Sequence, residues 1–335
     1  MVLRVAINGF GRIGRGIARV ILESWSHDMQ IVAINGMGDI DVNAHLLAYD
    51  SVHGRFAQEV SFKDSQIVVD GNAIPFTAYR NPEELPWKEY AVDLVMECTG
   101  AFTSADKARS HMKAGAGCVL ISAPADGVDA TVVYGVNHGI LESSMRIVSC
   151  ASCTTNCLAP IACILHREIG IQNGYMTTIH AYTGDQRVLD TARRDCYRSR
   201  AAGLSMIPTS TGAAKALGLV IPELAGKLDG SSIRVPTPNV SAIDLTAVMQ
   251  RTVSVGEIND LFQSASTGNW QGIVEYTDAP CVSIDYNHNS YSASFAGKET
   301  RVVGDNFLRV LAWYDNEWGF SHRMCDVGAA MGRFL

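Results

Sequence analysis

A glycine triplet set between a short apolar strand and a helix constrains the first half of this chain more than any other feature. Residues 3–8 read LRVAIN; Gly9, Gly11 and Gly14 follow in the spacing G-x-G-x-x-G and open the helical pattern RIGRGIARVILES. A second apolar run at residues 30–35, QIVAIN, completes a β-α-β unit. The bare glycine spacing is weak. Between a strand and a helix it marks a dinucleotide site, because Gly9 and Gly11 let the backbone approach a pyrophosphate and the helix N-terminus meets its charge.

Further strands are predicted at residues 92–97, 118–122, 131–136 and 146–148. Nucleotides lie at strand ends in an open parallel sheet, so Thr99, Gly100 and Ser122 are candidate contacts, each also explicable as turn chemistry. The carboxylate that would hold a ribose 2′-hydroxyl at the end of the second strand is missing: Gly36 stands there. Its absence removes a charge that would repel a 2′-phosphate and makes NADP permissible. No Arg follows immediately, and Asp39 and Asp41 are alternative ribose partners.

The chain has 335 residues, enough for two domains, with 47% hydrophobic and 18% charged residues. The net charge is −7 and no Lys/Arg-rich block occurs, so there is no electrostatic footprint for nucleic acid or an acidic membrane. No apolar run reaches transmembrane length, and the sequence opens into a strand with no signal peptide. Nine cysteines, an odd number without paired metal spacing, suggest a reduced, cytoplasmic protein with no metal. Cys150, Cys153 and Cys157 are the only close group, and no second ligand cluster follows them.

Chemistry concentrates in the second half. Residues 149–158 read SCASCTTNCL, and the run after Cys153 reads as a helix. A thiol at a helix N-terminus is favoured as thiolate by free N–H groups and the helix dipole, and a thiolate adds to an aldehyde. A buried, inert cysteine is the plain alternative. The β-rich run GYMTTIHAY at residues 174–182 presents His180, far enough on for a helix and a returning strand to bring it beside Cys153 as a proton acceptor. Anion-binding candidates follow: Thr183, the helix start at Ser210, Thr211 and Gly212, Arg234 in a strand, and Arg198 in a long patternless stretch at residues 184–205. Several anion donors without metal ligands suggest a small phosphorylated substrate. The remaining chain predicts strands at residues 242–250, 281–285 and 307–314 and a helix at 255–263. An amphipathic last helix, residues 318–334, returns to the nucleotide domain and carries Asn316 just before it.

With these features in place, the chain resembles the phosphorylating glyceraldehyde-3-phosphate dehydrogenase family, from AINGFGRIGR to WYDNEWGF and through ASCTTNCLAP, TTIHAYTGDQ, STGAAKA and RVPTPNVSAIDLT. The resemblance implies an α/β fold: an N-terminal Rossmann-type doubly wound sheet plus an α+β catalytic domain with a mixed or antiparallel sheet. Residues 1–152 plus 316–335 would form the dinucleotide-binding domain, and residues 153–315 the catalytic and oligomerisation domain. It implies that Cys153 is the acyl-enzyme nucleophile and His180 its acid–base partner. Thr183 and Arg234 would bind the substrate phosphate; Ser152, Thr154, Thr211 and Gly212, with Arg198, would bind the attacking inorganic phosphate. Arg12 and Ile13 would flank the pyrophosphate of NAD or NADP, Arg80 would join the cofactor contacts, and Asn316 would hold the nicotinamide carboxamide. A homotetramer is implied, with the loop at 184–205 against a neighbour's cofactor.

Four departures from the family pattern stand out: Gly36 for Asp, Thr191-Ala192 for Leu-Pro, Phe320 for Tyr and Cys150 for Asn. The first two point toward NADP use or dual specificity. Two rival readings are a related erythrose-4-phosphate dehydrogenase, which releases its acid to water, and a catalytically idle binding or adhesion protein. The Thr183 and Ser-Thr-Gly pattern weighs against the first, and the presence of both Cys153 and His180 against the second.

Overall fold

A computed structural model describes residues 2–335, in two units: residues 2–132, 138–151 and 321–335, and residues 133–137 and 152–320. The division thus falls after Phe320 rather than before Asn316, and a short segment at 133–137 goes with the second unit.

The first unit is built on a nine-stranded sheet. Its strands run in the order Ala130–Thr131, Ile147–Ser149, Cys118–Ile121, Leu94–Glu97, Leu3–Asn8, Met29–Asn35 and Asn72–Thr77, all neighbours parallel, and then Gln66–Val69 and Val60–Lys63 as an antiparallel margin. Leu3–Asn8 lies between Met29–Asn35 and Leu94–Glu97, so the strand order reverses there, the point at which a doubly wound sheet accepts a nucleotide. Apart from Arg4 and Gln30 near their starts, these central strands are buried and largely apolar because both faces are covered.

Polar side chains knit the carboxyl ends of these strands together. Glu97 is buried, and its Oε2 accepts from Asn8 Nδ2 at 2.5 Å and His111 Nε2 at 2.9 Å. Its Oε1 accepts from the Thr99 N–H at 2.8 Å and from the Thr99 hydroxyl. Trp87 Nε1 donates to His111 Nδ1 at 3.0 Å. An indole N–H can only donate, so the His111 proton sits on Nε2 and points at Glu97. Asn35 Nδ2 donates to Asn8 Oδ1 at 2.7 Å and carries the chain of bonds to the next strand.

The second unit holds an eight-stranded mixed sheet, ordered Ile207–Ser210, Leu228–Val235, Ile171–Ala181, Ser241–Met249, Phe307–Tyr314, Ala293–Ala296 and Val274–Thr277, with Arg301–Val303 paired to Phe307–Tyr314. Parallel pairing is confined to Ile171–Ala181 with Leu228–Val235 and Val274–Thr277 with Ala293–Ala296. The helix Cys153–Glu168, buried from Thr154 to Leu165, packs on this sheet.

Three sequence expectations need correction. The strand expected at 131–136 is only Ala130–Thr131; Val133 N–H instead donates to Asn137 Oδ1 at 2.8 Å and turns the chain. Residues 281–285 are not a strand. They run into a 3-10 turn, Ser283–Tyr286, because Asp285 Oδ2 accepts from Val282 N–H at 2.8 Å and offers the backbone a local partner. The last helix, Trp318–Gly332, is buried nearly all round rather than amphipathic. A Cβ at Gly328 would lie 3.0 Å from Leu94 and Met96, so this helix beds directly on the first sheet.

Glu97→Gln places an amide where two donors already converge, and His111 cannot change tautomer while Trp87 donates to it. The variant is expected to lose about 1–3 kcal/mol of stability, read as a lower denaturant midpoint; an unchanged midpoint would remove Glu97 as the joint between the strand ends.

Candidate active site

In the first unit each glycine of the triplet has a distinct steric reason. Gly9 has φ +96°, and a Cβ there would stand 2.6 Å from the Thr99 nitrogen. A Cβ on Gly14 would lie 2.1 Å from the Gly9 carbonyl oxygen, so helix and strand close up only around glycine. Gly11 faces open space, with no atom within 4 Å of where its Cβ would be, which leaves the backbone free to be approached by a pyrophosphate. The residues present therefore fit a dinucleotide.

The other candidates take varied positions. Ile13 is half-buried in the first turn of the helix Arg12–Val20. Arg12 is gripped in a two-pronged pair by Asp50, Nη1 to Oδ2 at 2.5 Å and Nη2 to Oδ1 at 3.1 Å. Burial alone would raise the Asp50 carboxyl, but the Arg12 bond and the N–H groups of His53 and Val52 outweigh it and hold it well below the usual range. Thr99 turns its hydroxyl back onto Glu97, Gly100 has φ +72° with open space beside it, and Ser122 hydrogen-bonds Cys98. Arg80 is exposed, just past the strand Asn72–Thr77 at the same sheet edge. Gly36 is not an open position: a Cβ would meet Phe10 Cβ at 2.9 Å and the Phe76 ring at 3.2 Å. Asn316 is buried in the second unit.

The second unit brings the chemical groups together. Ser152 caps the helix Cys153–Glu168 by accepting from Thr155 N–H at 3.1 Å, which puts Cys153 on the first turn. Cys153 Sγ lies 3.5 Å from His180 Nε2. His180 and Arg234 are partners in register on adjacent parallel strands, and Arg234 Nη1 reaches His180 Nδ1 at 2.7 Å and the Ala181 carbonyl at 2.9 Å. Nδ1 is also 2.7 Å from the Ala181 oxygen. A guanidinium only donates and a carbonyl only accepts, so the ring answers one of them at a time. With Nδ1–H on Ala181, Nε2 is free to take the thiol proton; with Nδ1 accepting from Arg234, Nε2–H faces the sulfur.

Electrostatics here oppose charge. Burial, then Arg234, lowers the His180 pKa to about 4, against the pull of the Ala181 carbonyl and Asp185. Burial pushes the Cys153 thiol up, against Arg234, the Thr154 hydroxyl and the N–H groups of Thr154 and Cys153. The N–H groups at the helix start thus favour the thiolate, but burial outweighs them.

Among the phosphate candidates, Thr183 Oγ1 donates to Asp185 Oδ1 at 2.6 Å, and Arg198 pairs with the other oxygen of that carboxylate at 3.3 Å and donates to Thr209 Oγ1 at 3.0 Å. Thr211 Oγ1 accepts from Ala213 N–H at 3.2 Å at the start of the helix Ala213–Val220, beside an open Gly212. Thr154 is buried and bonds Tyr314. Thr191 and Ala192 are exposed in the long loop. All nine cysteines are free thiols, Cys150 being buried, and no group of three or more potential metal ligands occurs among the described residues.

Sequence reasoning missed three residues of this constellation. Tyr314 bonds both Thr154, at 2.9 Å, and Thr178, at 2.8 Å, with its ring edge-on to His180. Asp185 gathers Thr183 and Arg198. Ser241 bonds Asn316 at 2.8 Å. Inward alternation along Phe307–Tyr314 was the one available signal for Tyr314.

Two family models match the chain: glyceraldehyde 3-phosphate dehydrogenase, NAD binding domain, over residues 3–105, and the C-terminal domain of the same family over residues 152–316. Proteins named glyceraldehyde-3-phosphate dehydrogenase are similar over the full length. The one from Xanthobacter flavus is 59% identical over 99% of both chains, that from Cereibacter sphaeroides 56% over 100% of both, and that from Geobacillus stearothermophilus 49% over 98% of both.

His180 is held neutral in the fold and takes up a proton on unfolding as pH falls from 6.5 toward 4. Stability is therefore lost as pH falls through that window, by up to about 3 kcal/mol from this residue. His180→Asn should flatten the dependence of the urea midpoint on pH between those values; an unchanged slope would contradict the buried neutral imidazole.

Proposed function

Because the chain belongs to the glyceraldehyde-3-phosphate dehydrogenase family, an NAD-dependent oxidoreductase family, we propose that it oxidises glyceraldehyde 3-phosphate and captures the acyl group with inorganic phosphate as 1,3-bisphosphoglycerate. The observation that carries this reading is the Cys153–His180 contact at 3.5 Å beside Arg234. Cys153 gives up its proton to His180 and its sulfur adds to the aldehyde carbon, forming a thiohemiacetal. The Cys153 N–H at the helix start stabilises the developing oxyanion. His180 returns the thiol proton to that oxyanion, giving the thiohemiacetal hydroxyl, and takes it back as the thiohemiacetal is oxidised to a thioester. NAD, when bound, supplies the acceptor for the hydride. A phosphate oxygen then attacks the thioester carbonyl and expels the Cys153 thiolate.

Arg234 and Thr183 bind the substrate's phosphate, and Ser152, Thr154, Thr211 and Gly212, with Arg198, bind inorganic phosphate. Ser152 caps its helix, and Thr211, just before the Gly212 N-cap, accepts from the Ala213 N–H, so each stands beside N–H groups that can meet an anion. Gly9, Gly11, Arg12, Ile13, Gly14, Arg80, Thr99, Gly100 and Ser122 serve the dinucleotide, and Asn316 its carboxamide. Use of NADP beside NAD follows from Gly36, Thr191 and Ala192. Apolar side chains on the long loop, Val188 at 86% and Leu204 at 82% exposed, support a homotetramer. The free thiols support a cytoplasmic setting.

Initial rates of NAD and NADP reduction with glyceraldehyde 3-phosphate are expected to depend on inorganic phosphate, and Cys153→Ser to abolish turnover while leaving NAD binding. Phosphate-independent turnover that favours erythrose 4-phosphate would instead mark a hydrolytic relative. Gly36→Asp should weaken NADP more than NAD by about tenfold, with Gly36→Ala reporting the packing cost against Phe10 and Phe76 alone. Equal effects of the two substitutions on the cofactor ratio would show that the 2′-phosphate is read elsewhere.

A further inference from the structure

Val240 has φ +66°, a left-handed conformation that a β-branched residue adopts only when its surroundings force it. Its side chain is buried, and the residues on both sides of it are tied down. Asn239 Nδ2 donates to Asp315 Oδ2 at 2.8 Å and to Asn287 Oδ1 at 2.8 Å. Asp315 in turn accepts from the N–H groups of Glu317, at 2.9 Å, and Trp318, at 2.8 Å, which begins the last helix. On the other side, Ser241 opens the strand Ser241–Met249 and is buried. Its Oγ accepts from Ala181 N–H at 3.0 Å and donates to Asn316 Oδ1 at 2.8 Å. The left-handed turn at Val240 lies between Asn239, which holds Asp315, and Ser241, which holds Asn316.

We propose that Ser241 is a positioning residue for Asn316: its hydroxyl occupies Oδ1 and so leaves Nδ2 as the atom offered to a carboxamide oxygen. The Ala181 N–H fills one lone pair of Ser241 Oγ, and the hydroxyl hydrogen needs an acceptor in a buried setting. Asn316 Oδ1 is the acceptor Oγ has among the described residues. A flipped amide would bring Nδ2 to Oγ and leave that hydrogen unpartnered. Because Ala181 directly follows His180, the same hydroxyl ties the amide to the end of the strand that carries the imidazole. The inference rests on the reading of Asn316 as the carboxamide partner and adds the group that orients it.

The test compares two ligands on the full-length protein by calorimetry: NAD, and ADP-ribose, which is NAD without its nicotinamide. Ser241→Ala should weaken NAD roughly three- to tenfold and leave ADP-ribose unchanged. The double variant Ser241→Ala/Asn316→Ala should bind NAD no more weakly than Asn316→Ala alone. Equal losses for NAD and ADP-ribose in Ser241→Ala would make Ser241 a purely structural residue and overturn the proposal. So would an unchanged NAD affinity in Ser241→Ala beside a weakened one in Asn316→Ala. If Asn316→Ala itself treats both ligands alike, the reading of Asn316 fails first and the role of Ser241 falls with it.

Discussion

The second unit depends on where the helix Cys153–Glu168 begins and on what stops it from sliding. Ser152 fixes its first turn through the Thr155 N–H. One buried hydroxyl, that of Tyr314, then bonds Thr154 on the helix and Thr178 on the strand that carries His180. Burial first, then the nearby thiols of Cys153 and Cys157, keep that phenol protonated, its pKa well above the ordinary value, so it can donate to one threonine and accept from the other. Helix, central strand and the strand Phe307–Tyr314 are thereby joined at a single oxygen. The separation of Cys153 and His180 is set by this joint, since each lies next to or two residues from a threonine it holds.

The surroundings of this pair favour neutral partners. Burial raises the thiol and lowers the imidazole, so a thiolate–imidazolium pair has to be created against desolvation. Arg234 lowers both pKa values, stabilising a negative sulfur while disfavouring a positive ring. An anion that drew Arg234 away would therefore change the hydrogen bond at His180 Nδ1 as well as the charge beside the ring. The arrangement follows from register alone: His180 and Arg234 are neighbours across a parallel strand pair.

The parts legible in the sequence were those whose chemistry is local. A glycine triplet between strand and helix reads as a place of close backbone approach; Gly11 is open in that way, while Gly9 and Gly14 are glycines because a Cβ would collide with Thr99 and with the Gly9 carbonyl. The Cys153 helix start and the His180 strand were equally visible, because capping and alternation are short-range patterns. Partnerships across distant sequence were not. Asp50 for Arg12, Glu97 with His111 and Trp87, Asp185 for Arg198 and Ser241 for Asn316 come from tertiary approach and carry no spacing signature. Two boundary errors, at residues 131–136 and 281–285, arose where Asn137 and Asp285 side chains gave the backbone a closer partner than a neighbouring strand. The last helix reads as amphipathic because its polar residues imply an exposed face, whereas Ser321 and Arg323 are buried and Arg323 is paired with a half-buried Asp326.

Gly36 is constrained by shape as well as being free of charge. The Phe10 and Phe76 rings meet edge to face, 6.5 Å between centroids, and the Phe10 Cβ with the Phe76 ring fills the space a side chain at position 36 would take. Phe10 is also the residue between the first two glycines of the fingerprint, so it cannot shrink or shift without disturbing the turn they form. Acquiring a ribose-gripping carboxylate is consequently a coordinated change at three positions rather than a single codon step. A substitution at position 36 is therefore a packing event between two aromatic residues before it is an electrostatic one.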